Sequence, residues 1–398
     1  MELARLGAPQ PAALTTVTAT AMQPATTRAE RHERRPRVRA GGISGGRGSR
    51  RAASPRTLLR PHTRTASLWL LCRGRGVVED DGSLPGGRPG SCERVTIPAG
   101  ALGLPMFSVG QATTPRLSFV DALDAYERAG ADGIGIIDCA DLWREPTAFA
   151  RFRASDLEAG FCILSTTSVL PLTDVGRPYA GHDEPDRRVA EICASIRRLA
   201  KYQPKFCLCS PGPQGAYGEA QAREIVVEGF RCVARSAADV GVTIAFEPFH
   251  RSLKELFSFG NSIAEAASLL DDVAEPNTGI LFDIWHMWDY PDVHAEIRTH
   301  AARILGVHVD DWRNPTRSWC DRVLPGDGVA DVVGILRALR EGGFSGWYEL
   351  EVLSDDGTFG NDFADSLSKR DPVELIREGR DKFIEAWLVA GGSGAACA

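Results

Sequence analysis

From about residue 104 onward, short apolar runs alternate with longer amphipathic stretches, and this alternation restricts the folds open to the chain. Eight of the apolar runs have the length and composition of strands: PMFSVG, DGIGIID, FCILSTT, KFCLCS, VTIAFEP, GILFDIW, ILGVHVD and GWYELEV. Stretches with helical periodicity lie between them, such as FVDALDAYERAG, and several end in the glycine that commonly terminates a helix. Continuous apolar strands separated by helices predict a parallel sheet covered by helices.

The number of these strand–helix units indicates the fold class. Eight units between residues 101 and 398 fit an α/β protein of the (β/α)8, or TIM-barrel, type, which typically takes about 250 residues. A doubly wound open sheet is the alternative, but no GxGxxG turn follows the first strand. The amphipathic stretch PVELIREGRDKFIEAWL is predicted to be the helix that closes the ring. We therefore predict a TIM barrel over residues 101–398.

Residues 1–100 differ from the rest of the chain, because they are rich in Arg, Pro, Gly and Ser and lack apolar periodicity. Such a segment buries too little apolar surface to offset its conformational entropy, so we predict a disordered tail. An over-long gene start is compatible with this composition. The sharper alternative is a transit-type or polyanion-binding arm, because the segment holds 17 Arg and only 7 acidic residues.

Charge and apolar runs restrict the partners and the compartment. The whole chain has a net charge of −6 despite its basic tail, so the remainder is strongly acidic, which argues against nucleic-acid binding. No apolar run approaches the ~20 residues that a membrane helix needs. The ten Cys include no CxxC pair, which is typical of reduced thiols. We expect a cytoplasmic protein without nucleic-acid or membrane partners.

Polar residues recur where four successive predicted strands end. In a TIM barrel, functional side chains lie at the C-terminal ends of the strands and in the loops that follow. The residues at these positions are Glu247 and His250 in AFEPFH, Asp283 and His286 in LFDIWH, His308, Asp311 and Arg313 in VHVDDWR, and Glu349 and Glu351 in WYELEV. Any one of them alone could be a buried salt bridge, a core histidine or a surface cation. Their shared position favours a functional site.

Two Glu, one Asp and one His would form a site dominated by hard oxygen ligands. Such a site favours one divalent ion of the Mn²⁺, Mg²⁺ or Co²⁺ type, with Zn²⁺ as a further candidate. A metal ion that binds a carbonyl and a neighbouring hydroxyl stabilises the charge that develops when the adjacent proton is lost. Two carboxylates on opposite sides of that carbon can remove a proton from one face and return one to the other.

The motifs FEPFH, FDIWH, VHVDDWR, DRVLPGDG and ELEVLSD, in this order, resemble the sugar phosphate isomerase/epimerase family of xylose isomerase-like TIM barrels. This group is related to inosose dehydratase and the ketose 3-epimerases, and its barrels are often homo-oligomers. The resemblance implies the metal ligands Glu247, Asp283, His308 and Glu351, of which Glu247 and Glu351 are also the catalytic acid/base pair. It implies substrate contacts from His286 and Arg313, to which we add His250 and Asp311. We expect Asp311 to orient the His308 imidazole or Arg313.

The predicted function is that of a metal-dependent isomerase or epimerase of a keto sugar or sugar phosphate, by proton abstraction next to the carbonyl. An inosose-type dehydratase would use the same site, because loss of a β-hydroxyl also begins with enolisation. A non-catalytic sugar-binding barrel is the alternative outside catalysis. A related zinc endonuclease would need more histidines than the eight present. The expected partner is a small-molecule sugar or cyclitol.

Overall fold

The structure is a computed structural model that describes residues 104–172 and 182–391, together with two short strands nearer the N-terminus. These strands, β1 (Thr65–Ser67) and β2 (Thr96–Pro98), pair in antiparallel fashion. The predicted disordered tail over residues 1–100 otherwise lies outside the described residues. Its disorder and the domain boundary near residue 100 therefore stay predictions.

The main sheet is a ring of parallel strands. In chain order its strands are β3 (Phe107–Gly110), β4 (Gly133–Gly135), β5 (Glu158–Ala159), β6 (Phe161–Ser168), β7 (Phe206–Ser210), β8 (Ile244–Phe246), β9 (Thr278–Asp283), β10 (Ile304–Val309) and, after a hairpin of β11 (Asp311–Trp312) and β12 (Arg322–Val323), β13 (Trp347–Leu350). The order in space is β5-β4-β3-β13-β10-β9-β8-β7-β6. Since β5 and β6 are one segment interrupted at Gly160, the sheet begins and ends in the same strand. A parallel bridge between Ile137 and Ile163 joins its edges, and the predicted TIM barrel is confirmed.

Helices follow the strands and pack against the outside of the ring. They are α1 (Phe119–Ala129), α2 (Ala140–Arg144), α3 (Ala148–Ala154), α4 (Pro185–Leu199), α5 (Glu219–Ala238), α6 (Ile263–Val273), α7 (Ile284–Met287), α8 (Val293–His300), α9 (Val332–Glu341) and α10 (Pro372–Gly391). Helix α1 begins at Ser118, whose side chain accepts from the Asp121 amide, and ends at Gly130 with φ 82°. None of the helices in the described part of the chain is long and apolar enough to cross a membrane.

Side chains fill the lower half of the barrel interior. Phe161 and Phe206 stack there with ring centroids 4.3 Å apart, beside Leu208, Ala245 and Leu281. Gly306 in β10 faces these rings, and a Cβ added to it would lie 2.3 Å from Cζ of Phe161. The interior is therefore a packed core, and the space for chemistry lies at the carboxyl end of the strands.

Gly306→Ala tests this packing. The added methyl group overlaps two buried rings, so we expect the free energy of unfolding to fall by about 1–3 kcal/mol. Urea unfolding followed by circular dichroism measures the change. Gly218→Ser is the control, because a Cβ there meets nothing within 4 Å and φ is −67°. Equal stability of the Gly306→Ala protein and the unsubstituted protein would contradict this description of the interior.

Candidate metal centre

Four predicted ligands meet at the carboxyl end of four neighbouring strands. Glu247 directly follows β8, Asp283 is the last residue of β9, His308 lies near the end of β10, and Glu351 directly follows β13. All four side chains are buried, and one ligand atom from each lies within 4.8 Å of the others. The strands β8, β9, β10 and β13 are consecutive in the ring, which brings residues distant in sequence into one cluster.

The Nδ1 atom of His308 is the centre of this cluster. It lies 3.2 Å from Oε1 of Glu247, 3.2 Å from Oε2 of Glu351 and 3.4 Å from Oδ2 of Asp283. A single ring nitrogen can donate one hydrogen bond, so it cannot satisfy three carboxylates. The cluster thus has an excess of negative acceptor atoms, and three carboxylate oxygens with one imidazole nitrogen are a donor set that fits a divalent cation.

Glu349 approaches the other nitrogen of the His308 ring. Its Oε1 atom lies 3.7 Å from His308 Nε2, while its Oε2 atom accepts hydrogen bonds from Ser108 Oγ at 2.7 Å and the Phe161 amide at 3.0 Å. A carboxylate on the far side of a metal-binding imidazole fixes the orientation and tautomer of the ring. Alternation along β13 puts Glu349 and Glu351 on the same face. Glu349 lies beneath the cluster, and Glu351 lies within it.

An arginine that the sequence did not single out as a site residue lies in the same cluster. Nη1 of Arg322, in β12, is 2.8 Å from Oδ2 of Asp283, 3.1 Å from Oε2 of Glu351 and 2.5 Å from Oδ2 of Asp310. Asp310 is fixed in turn by the Trp285 amide, which donates to its Oδ1 at 3.0 Å. The hairpin of β11 and β12 thus carries a buried positive charge into the acidic cluster.

Burial and neighbouring charges shift the pKa values of the cluster in opposite directions. Burial raises the pKa of Glu247 to about 7, although His308 partly opposes this shift. Burial also raises the pKa of Glu351. It would do the same to Asp283, but the Arg322 guanidinium, together with His286, holds the pKa of that carboxyl well below its usual range. The pKa of His308 lies well above its ordinary value, because the surrounding carboxylates, Glu351 first, outweigh burial.

His286 lies beside the cluster and lines the pocket, where it was predicted to contact substrate. Its Nδ1 atom accepts from the His250 amide at 3.2 Å, so the neutral ring carries its proton on Nε2. That Nε2 atom is 3.8 Å from Oδ2 of Asp283. Burial lowers the pKa of His286 to about 3, so the ring is a neutral hydrogen-bond donor.

Three other predicted substrate-binding residues do not line the pocket. His250 bonds to Ser252 and Asp289 through its ring and acts on the site only through its backbone amide. Arg313 pairs with Asp321 and Asp365. The carboxylate of Asp311 accepts from four backbone amides, those of Trp312, Gly326, Gly328 and Ala330.

These contacts correct the expectation for Asp311. Its hydrogen bonds hold the loop after the hairpin, so the carboxylate orients neither His308 nor Arg313. Its neighbour Asp310 is the one that faces the cluster, through Arg322. The arginine that lines the pocket is likewise Arg322 and not Arg313.

A pocket opens above the cluster, with an empty volume of about 630 Å³. Six of the residues that line it are polar: Thr167, Ser210, Glu247, His286, Arg322 and Glu351. Thr167 and Ser210 lie at the ends of β6 and β7, on the side of the barrel across from β13. The remaining lining residues are apolar.

A closed parallel barrel with a buried cluster of three carboxylates and one histidine at the carboxyl end of its strands defines a TIM-barrel protein with a site that fits a metal ion. A family model described as "Xylose isomerase-like TIM barrel" matches residues 123–386. The chain therefore belongs to the xylose isomerase-like TIM-barrel family, as the order of its motifs predicted.

Relatives within this family are distant. Inosose dehydratase from Klebsiella pneumoniae subsp. pneumoniae is 27% identical over 172 residues, which are 38% of this chain and 54% of that protein. The match thus spans about half the length of this relative. Two solved structures share the fold at 18% identity and a TM-score of 0.58. One is the IOLI protein with a binding zinc atom, covering 71% of this chain and 98% of that one. The other is L-ribulose 3-epimerase, covering 72% and 96%.

Substitution of a ligand tests the metal centre. We expect Glu351→Gln to lower the affinity for Mn²⁺ by more than about tenfold, because even residues that only orient ligands typically contribute that much. Isothermal titration of the metal-free protein measures the affinity. Asp138→Asn is the control, since Asp138 is a buried carboxylate after β4 that pairs with Arg198 outside the cluster. Equal affinity of both variants would remove Glu351 from the ligand set.

Proposed function

We propose that this protein is a metal-dependent enzyme that abstracts a proton next to the carbonyl of a keto sugar or cyclitol, as an isomerase or epimerase. The observation that supports this most directly is the pair of buried glutamates that approach the same imidazole nitrogen. Glu247 and Glu351 each lie 3.2 Å from Nδ1 of His308, and both line the pocket. Paired carboxylates at one small-molecule pocket suit acid/base work on the two faces of a carbon atom.

Glu247, Asp283, His308 and Glu351 would hold one divalent ion. Mn²⁺, Mg²⁺ and Co²⁺ suit its three carboxylates best, and Zn²⁺ is the alternative. When bound, the ion would supply a positive charge that stabilises negative charge on the substrate oxygens. Glu349, on the other nitrogen of His308, would keep the ring oriented toward the cluster.

The side chains around the cluster take complementary roles in this proposal. Glu247 and Glu351 would remove and return the proton, and burial raises the pKa of both carboxyl groups. The neutral His286 would donate a hydrogen bond from its Nε2–H group to a substrate oxygen. Among the described residues that line the pocket, Arg322 is the one basic side chain, and three carboxylates already contact it. An uncharged substrate therefore suits the pocket better than a phosphate ester.

A dehydratase is the second candidate, because the curated relatives with sequence similarity to this chain include inosose dehydratases. Removal of a proton next to a ketone is the first step in both reactions. In a dehydratase the hydroxyl group on the next carbon then leaves as water. The same glutamate pair would serve either outcome, and the products distinguish them.

Deuterium exchange tests the proposal. We expect the full chain, loaded with Mn²⁺ and incubated in D₂O with ketoses and keto-cyclitols, to incorporate one deuterium next to the carbonyl of its substrate, as measured by NMR and mass spectrometry. An epimer or isomer as the labelled product supports the first candidate, and an unsaturated or diketone product with one water fewer supports the dehydratase. Glu247→Gln and Glu351→Gln should each abolish the exchange. No exchange with any compound, despite bound metal, would favour a sugar-binding barrel without catalysis.

Arg322 and Arg313 can be compared directly. We expect Arg322→Lys to lower kcat/KM by about 10- to 100-fold, because the shorter lysine side chain would not place its charge where Nη1 contacts Asp283, Asp310 and Glu351, and it loses the guanidinium plane above Trp285. Arg313→Lys should have little effect, since Arg313 is partly exposed and pairs with Asp321 outside the pocket. Steady-state kinetics with the identified substrate provides the measurement. The opposite ranking of the two variants would restore Arg313 as the substrate-binding arginine.

A further inference from the structure

Among the described residues, one group of side chains that line the pocket is apolar throughout and forms one side of it. We call this side the apolar wall, and its members are Leu172, Phe249, Leu253, Phe257, Trp319 and Leu353. Leu172, Phe249 and Trp319 are partly exposed, while the other three are buried. The polar lining residues, in contrast, belong to the acidic cluster or lie at strand ends beside it. The pocket is thus divided between a charged end and an apolar end.

The aromatic rings of the apolar wall form a continuous series that begins beside the acidic cluster. The His286 ring, beside Asp283, contacts Phe249 with centroids 4.6 Å apart. Phe249 stacks on Phe257 at 5.9 Å and an interplanar angle of 10°. Phe257 meets Trp319 edge to face at 5.0 Å. Each ring is supported by the next, so the wall is a packed surface that presents carbon atoms to the ligand.

This division restricts what can occupy the apolar end. A substrate whose reacting carbons lie at Glu247 and Glu351 must extend its remaining atoms along the pocket. A terminal hydroxyl group against the apolar wall would lose hydrogen bonds to water, and the indole N–H of Trp319 is the one side-chain donor among the six wall residues. A methyl group in the same position would bury apolar surface and lose no hydrogen bond.

We propose that the substrate is a keto sugar with an apolar end, such as the terminal methyl group of a 6-deoxyketose, which lies against the apolar wall. This inference rests on the proposed function, because it assumes that the carbonyl lies at the acidic cluster. A fully hydroxylated sugar that stacks its C–H face on the rings is the competing arrangement. Stacking on the sugar ring would not distinguish a terminal methyl group from a terminal hydroxymethyl group.

Matched substrates distinguish the two arrangements. The measurement is kcat/KM of the Mn²⁺-loaded full chain for pairs of ketohexoses and 6-deoxyketohexoses of the same configuration. We expect the deoxy member of the accepted pair to be preferred by about 10- to 100-fold, the range in which apolar pockets discriminate single groups. Equal values, or a preference for the hydroxylated member, would overturn the inference and leave the proposed function intact. Exchange in cyclitols alone would also overturn it.

The Trp319→Gln variant provides a second test of the inference. A polar side chain in the apolar wall should reduce the preference for the deoxy member by about tenfold or more, through an altered ratio of the two kcat/KM values. Trp288→Gln is the matched control, since Trp288 is also partly buried but does not line the pocket. An unchanged ratio in the Trp319→Gln protein would count against the apolar wall as the specificity element.

A binding measurement keeps the inference testable apart from turnover. Calorimetric titration with pairs of hexitols and 6-deoxyhexitols of matched configuration compares affinities for compounds that lack the reacting carbonyl. Tighter binding of the deoxy compound, lost in Trp319→Gln, supports the inference. If no ketose or cyclitol exchanges deuterium, the proposed function fails, and tighter binding of the deoxy compound would then show that the apolar wall selects its ligand in a non-catalytic barrel. Equal binding of both compounds in that case would overturn both.

Discussion

The convergence of three buried carboxylates on one imidazole nitrogen is the constraint on which the rest of the site depends. Like charges held this close in a dry environment repel one another, so a compensating cation is required. Arg322 supplies one such charge through contacts to Asp283 and Glu351, and the cluster fits a divalent ion as a second. The hairpin of β11 and β12 is therefore coupled to the barrel mouth by electrostatics as well as by packing.

The position of the cluster also depends on glycines below it. Glu349 reaches beneath His308 only because Gly135 and Gly160 have no side chains, and a Cβ at either would lie within 2.5 Å of the Glu349 carboxylate. In that space Glu349 bonds to Ser108 and the Phe161 amide and faces Nε2 of His308. Glycines that weaken two strands locally thus make room for the group that orients a ligand.

Some residues of the site were predicted from the sequence, and Asp310 could have been predicted by the same reasoning. Strand alternation puts Glu349 and Glu351 on one face of their strand, and the same rule puts Asp310 on the face of His308, although Asp311 was the expected site residue. Arg322 belongs to the motif DRVLPGDG, but it lies in a connection outside the predicted strands. No strand pattern therefore predicted the direction of its side chain. The family resemblance implied Arg313, but the chain turns there into the hairpin, and the side chain pairs with Asp321 and Asp365.

The sequence by itself determined the barrel and the rim at which its polar residues gather, because strand and helix periodicities are local properties and the ends of parallel strands meet at one rim. The resemblance of its motifs to a family implied which four of those residues form the cluster. Only the tertiary structure decided which side chains surround that cluster. Arg322, Asp310 and the apolar wall come from a hairpin, a strand end and separate loops, whose relative positions depend on long-range packing and charge compensation. A loop residue has no periodic neighbours that reveal its direction, so its role appears only when the chain is folded.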